Sequence, residues 1–185
     1  LKLGQAEMQR PVEIEFACNI NPDKSGDFYL LQIRPMVDNR MQLDENLANI
    51  PDEQCLLRSH NAIGHGIITD ICDIVYVKTS EKAHYTPGWN PQIAEEVERI
   101  NRTLLQEDRK CILIGPGRWG SSDPCLGIPV VWSDISEARI IVETAIPGYR
   151  IEPSQGTHFF QNITSLGVGY LTIDTVIGDG IIDEE

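Results

Sequence analysis

The spacing of apolar runs between residues 71 and 114 limits this chain to few folds. Ile71 to Lys78 (Ile-Cys-Asp-Ile-Val-Tyr-Val-Lys) is rich in β-branched residues and reads as a strand. A loop containing Pro87 and Gly88 follows, and Asn90-Pro91 then supplies a helix cap and a first-turn proline. Ile93, Val97, Ile100 and Leu104 recur at spacings of four, three and four, which lays one apolar stripe along a helix. Glu95 and Glu96 lie early in it, and Arg109-Lys110 lie at or just past its end, as the helix dipole favours. Cys111 to Ile114 is a second strand and Arg139 to Val142 a third. Ser154 to Leu166 reads as a helix stopped by Gly167, and Val168 to Asp174 as a fourth strand. Strands alternating with helices predict an α/β fold with a mixed or partly parallel sheet flanked by helices.

Ahead of this region lies a different pattern. Pro11 to Asn19 and Asp27 to Pro35 flank Asn-Pro-Asp-Lys-Ser-Gly at 21–26, so the two runs read as a β-hairpin. Alternation puts Val12, Ile14 and Phe16 on one face and Glu13 and Glu15 on the other. On the return strand it groups Tyr29, Leu31 and Ile33, and separately Leu30, Gln32 and Arg34. Carboxylates, an amide and a guanidinium gathered this way suit a metal-bound polyphosphate: the carboxylate holds a hard cation, and the guanidinium forks onto phosphate oxygens. The segment 37–56 is polar, is broken by Pro51, and reads as a linker.

The 185 residues suffice for one core plus an appendage. A net charge of −13 with no basic run argues against nucleic acid, whose phosphates would be repelled. No apolar run reaches membrane-spanning length. The five cysteines are odd in number and form no Cys-x-x-Cys pair, which supports neither a zinc site nor a disulfide framework and fits a reducing cytoplasm. Cys18, Cys72 and Cys111 lie in or beside apolar runs and are expected to be buried thiols.

Gly115-Pro116-Gly117-Arg118-Trp119-Gly120 follows the second strand and matches a dinucleotide fingerprint in spacing alone. That fingerprint must open a helix, and here Pro124, Gly127 and Pro129 follow within nine residues. Two readings stay open. One is a Gly/Pro-shaped loop with Trp119 packed down. The other is a small-anion site formed by Arg118, Ser121, Ser122 and free amides of the turn, with Ser154 and Thr157 converging from the next helix start. His158 at that helix start could also serve an anion, or pack beside Phe159 and Phe160. His60 and His65 have no carboxylate or cysteine at metal-ligand spacing.

The hairpin resembles the end of the ATP-grasp nucleotide-binding domain of phosphoenolpyruvate synthase and pyruvate phosphate dikinase. In that family an "(Asp)-Ile-Glu-(aromatic)" strand precedes a "Leu-Gln-x-Arg-Pro" strand. The matching residues here are Glu13-Ile14-Glu15-Phe16 and Leu31-Gln32-Ile33-Arg34-Pro35, with Glu13 for the usual Asp and a longer turn. The resemblance implies that Glu15 is a magnesium ligand and that Gln32 and Arg34 face the phosphates of ATP. The runs at 113–123, 126–130 and 154–162 look like a variant group of bacterial phosphoenolpyruvate synthase-like proteins, in which an extra domain follows the ATP-grasp domain. The family's phosphorylatable His lies in "Gly-Gly-x-Thr-(Ser/Cys)-His-Ala". None of His60, His65, His84 and His158 has that context, and Gly64-His65-Gly66 comes nearest.

The implied organisation is an ATP-grasp hairpin over 1–36, a linker over 37–56 and an α/β domain of unassigned role over 57–185. The chain opens at Leu1 on an element that closes a domain, so it is expected to be part of a longer parent. That parent is expected to be an ATP-dependent phosphotransferase. The family reaction converts pyruvate, ATP and water to phosphoenolpyruvate, AMP and phosphate, and this part alone is expected to be inactive. The partners implied are a nucleotide with Mg2+, a small anionic metabolite and the parent's other domains. The alternative is a non-catalytic module that binds a small anion or docks a domain.

Overall fold

In the computed structural model, residues 1–9, 12–35, 49–64, 66–79, 85–146, 163 and 166–183 are described. The chain divides into two compact units, Leu1–Arg40 and Met41–Glu185.

The first unit holds a short helix, α1 (Lys2–Met8), and two antiparallel strands, β1 (Val12–Ile20) and β2 (Gly26–Pro35). The turn forms for the reason its composition suggests. Asp23 Oδ1 accepts from both the Ser25 amide (2.9 Å) and the Ser25 hydroxyl (2.6 Å), and these bonds hold its carboxyl below the ordinary value. Pairing runs Glu13 opposite Arg34, Ile14 opposite Ile33 and Glu15 opposite Gln32, then slips so that Phe16 faces Leu30. This bulge corrects the expected grouping of the return strand. Leu31 is the extra residue, and Leu30 joins Phe16 instead of Gln32 and Arg34. Phe16 and Phe28 stack on that face with ring centroids 5.0 Å apart.

The second unit is built on a five-stranded sheet. In chain order its parallel strands are β5 (Ile71–Tyr76), β6 (Lys110–Pro116), β9 (Ala138–Thr144) and β10 (Gly169–Ile173). Each lies beside the one before it. Strand β4 (Asn61–Ile63) precedes them in sequence yet pairs antiparallel with β10 at the far edge. Two-residue strands complete the unit: β3 (Leu57–Arg58) pairs with β11 (Ile181–Ile182), and β7 (Arg118–Trp119) with β8 (Gly127–Ile128).

Helix α2 (Asn90–Glu107) connects β5 to β6 and buries the apolar stripe read from its sequence. Val97 and Leu104 pack with Leu113, Trp119, Ile141 and Tyr170 in one cluster that also holds Ile163. Successive parallel strands laid in one direction and joined by right-handed crossovers carry their connections on one face, which agrees with this placement. The opposite face buries Ile114, Val142 and Ile173 under Leu57 of β3 and Ile182 of β11.

Two expectations change here. Asn90 does not cap α2: it is the first helical residue and fully buried, accepting from Tyr85 Oη at 3.0 Å and donating to the Pro124 carbonyl at 2.7 Å. Trp89 takes the cap position and makes no side-chain cap, since its indole N–H only donates and cannot accept from a helix amide. Of the three cysteines expected in the interior, only Cys111 is buried, while Cys18 and Cys72 are exposed. Cys18 lies on a two-stranded ribbon, and Cys72 lies on the outermost strand β5 at a register shift. The helix expected over 154–166 falls outside the described residues except for Ile163, which is helical, and Leu166, in the turn that follows.

Burial pushes the Cys111 thiol up to about 12 from 9.0, with smaller contributions from Asp73 and Glu137. The folded state therefore binds this proton more tightly than the unfolded chain, and the stability it contributes is lost as pH rises from 9.0 toward about 12. At pH near 8 a thiol reagent should modify Cys18, Cys72 and Cys125, which are exposed, and spare Cys111 until denaturant is added. Native labelling of Cys111, read by mass spectrometry, would contradict this packing.

Candidate functional site

Two groups of polar side chains lie where chemistry could occur, one in each unit. In the first unit the register gathers the residues expected to serve a polyphosphate. Glu13 and Glu15 stand two apart on one face of β1, with Arg34 and Gln32 directly opposite on β2. Arg34 Nε meets Glu13 Oε1 at 3.0 Å, with both side chains partly open to solvent. Three of the four positions, Glu15, Gln32 and Arg34, are those singled out from the sequence. The fourth, Glu13, enters as the ion partner of Arg34.

In the second unit the Gly115–Gly120 loop leaves the carboxyl end of β6, where ligands gather in open parallel sheets. Here the loop turns inward. Trp119 is 2% exposed, and its indole Nε1 donates to the Val142 carbonyl at 3.1 Å. The ring lies against Gly115 so closely that a Cβ there would sit 2.4 Å from Trp119 Cζ2. Gly117 takes φ 69°, and β8 runs hard against Arg118 of β7.

The loop's backbone donors are spent internally. Gly117 N bonds the Thr144 carbonyl (2.8 Å), Arg118 N the Leu126 carbonyl (2.9 Å) and Gly120 N the Ile128 carbonyl (2.9 Å). Trp119 N is held at 3.0 Å by Glu143 Oε1. Pro116 has no N–H to offer. The expected anion site therefore lacks the free amides of residues 117–120, and the packed loop is the reading this geometry favours.

Of the side chains expected at that site, Arg118 is partly buried on β7. Ser121 is engaged within the loop, donating to the Asp123 carbonyl at 2.9 Å and accepting from the Asp123 amide at 3.2 Å. Ser122 is exposed. Ser154, Thr157 and His158 lie outside the described residues.

Sequence reasoning missed the residue that fastens this end of the sheet. Glu143 on β9 is 5% exposed, and its second oxygen accepts from Tyr170 Oη at 2.5 Å. One carboxylate thus ties β9 to the loop after β6 and to β10. The sequence carries only part of the signal: Glu143 continues the apolar run at 140–142, and the structure adds that this strand lies between two parallel neighbours, where burial on both faces is the rule. Among the described residues no group of three or more His, Cys, Asp and Glu side chains is arranged to hold a metal ion. No described helix is long and apolar enough to cross a membrane. No family model, curated protein or solved structure matches this chain.

Proposed function

We propose that the N-terminal hairpin is the closing element of a nucleotide-binding site in an ATP-dependent phosphotransferase related to phosphoenolpyruvate synthase. The observation that supports it is the register: Glu13 opposite Arg34 and Glu15 opposite Gln32, all on one face. Opposite-charge cross-strand pairs are common on solvated sheet faces; what favours the nucleotide reading here is the resemblance in residue order, which sets a carboxylate and an amide beside a fork-shaped cation suited to phosphate.

The donor set fits magnesium. Glu15 and Gln32 offer hard oxygens, and this ion is usually held by one or two carboxylates with phosphate oxygens and water completing its shell. A dedicated cage of three protein ligands is therefore not required. The ion, when bound, neutralises charge building up on the transferring phosphoryl group. Glu15 would carry it, while Gln32 and Arg34 would orient phosphate oxygens. In this reading residues 57–185 form an accompanying α/β domain, and the five free cysteines suit a protein of the reducing cytoplasm.

The test belongs in the full-length parent. Arg34→Ala should raise the ATP concentration needed for half-maximal AMP formation from pyruvate and ATP by roughly 10- to 150-fold, since a charged hydrogen bond contributes about 1.5–3 kcal/mol. Glu15→Gln should raise the magnesium requirement. Wild-type ATP and magnesium dependence in both variants would reduce the hairpin to a structural element.

A further inference from the structure

Resting on that nucleotide reading, the geometry points to a second role on the same face: Glu13 is an internal counter-ion that Arg34 must exchange for phosphate. Arg34 Nε is already paired with Glu13 Oε1 at 3.0 Å. The two residues stand directly opposite across the ribbon, where cross-strand pairs lie closest, and both remain partly solvated. Such a pair is weak enough to open, since surface ion pairs contribute little to stability. It still matters to an incoming anion. A triphosphate approaching Arg34 meets the Glu13 carboxylate beside it, and Glu15 two residues along the same face adds a second like charge.

Metal-free polyphosphate therefore finds the guanidinium occupied and its surroundings negative. When a divalent cation accompanies the phosphate, the carboxylates of Glu13 and Glu15 gain a positive charge to face, and Arg34 is released to the phosphate oxygens. Glu13 makes the hairpin selective for the metal complex over the bare anion, by competition and not by a closing lid.

The test uses the 185-residue chain labelled with 15N, following the Arg34 side-chain Nε–Hε cross-peak by NMR. The probe is inorganic triphosphate with and without magnesium chloride at constant ionic strength. In the wild type, magnesium should lower the triphosphate concentration that half-shifts this peak several-fold. Glu13→Gln keeps size and hydrogen bonding while removing the charge, and should let metal-free triphosphate act at about fivefold lower concentration than in wild type, the scale of one solvated charge pair. Magnesium should still help through Glu15, but by a smaller factor than in wild type. Equal metal-free titrations of wild type and Glu13→Gln, with triphosphate binding in both, would overturn the counter-ion role and leave the nucleotide reading standing. A peak that triphosphate fails to move in either protein, with or without magnesium, would also overturn the counter-ion role, while the nucleotide reading is decided by the Arg34→Ala and Glu15→Gln variants of the full-length parent.

Discussion

Replacing Glu143 by alanine should cost the second unit about 3–5 kcal/mol, a large share of the roughly 5–15 kcal/mol typical of a domain. The substitution strips the Trp119 amide and the Tyr170 phenol of an acceptor, and both donors sit where water cannot readily replace it. Each buried donor that loses this acceptor costs about 1–3 kcal/mol, and removal of a buried side chain adds a packing loss. Glu143→Gln keeps an acceptor for Trp119 and should cost only about 1–2 kcal/mol. Tyr170→Phe should fall in the same range. Because Glu143 and Tyr170 share a bond of 2.5 Å, the double variant should be less destabilised than the two single effects summed. Urea denaturation followed by tryptophan fluorescence reads all four proteins. A Glu143→Ala protein within about 1 kcal/mol of wild type, the worth of a single ordinary hydrogen bond, would mean the carboxylate is not what holds the loop.

Gly127→Ala should be nearly as damaging, by about 3 kcal/mol, although it adds one methyl group. A Cβ at this position would stand 1.9 Å from the Arg118 carbonyl oxygen and 2.4 Å from its nitrogen. The obstacles are backbone atoms, so no rotamer change relieves them, and β8 must move away from β7. That separation strains the Arg118–Leu126 and Gly120–Ile128 bonds and shifts Ile128, which is fully buried. Gly167→Ala is the control. Its φ of 70° is left-handed but nothing lies within 4 Å of the new Cβ, so only conformational strain of about 1–2 kcal/mol is expected. Should the two variants melt at the same temperature, close approach of the two short strands is not what requires Gly127.

Much of the scaffold is legible in the sequence because it rests on periodicity. The hairpin announces itself through alternation around an Asn-Pro-Asp turn, and α2 through its stripe of Ile93, Val97, Ile100 and Leu104. Trp119 packing down under glycines is one of two readings the sequence allows, and the ring is buried at 2% exposure. What escapes has no periodic signature. Strands β7 and β8 are two residues long inside a Gly/Pro loop, too short to alternate. The slip that moves Leu30 opposite Phe16 is an extra residue among consecutive leucines, where either leucine satisfies the pattern. Asn90 carries an ordinary cap residue's identity, and only its burial reveals that it serves the Pro124 carbonyl. Within the hairpin site the residue types are legible, while the Glu13–Arg34 pairing depends on register.

The sheet's edge order has a kinetic consequence. Strands β5, β6, β9 and β10 can join one after another as the chain lengthens, each docking on a neighbour already in place. Strand β4 was made before any of them, yet its seat is beside β10, and Ser59 closes a span of 113 residues when it donates to the Thr172 carbonyl. Loop-closure entropy makes such a contact late. Asn61–Ile63 therefore waits unpaired until β10 exists, and Leu57–Arg58 waits longer still, until Ile181 and Ile182 arrive to pair with it. A ribosome-bound chain arrested before β10 should expose β9 as an open edge, which makes that interval the one in which a holding chaperone has something to protect.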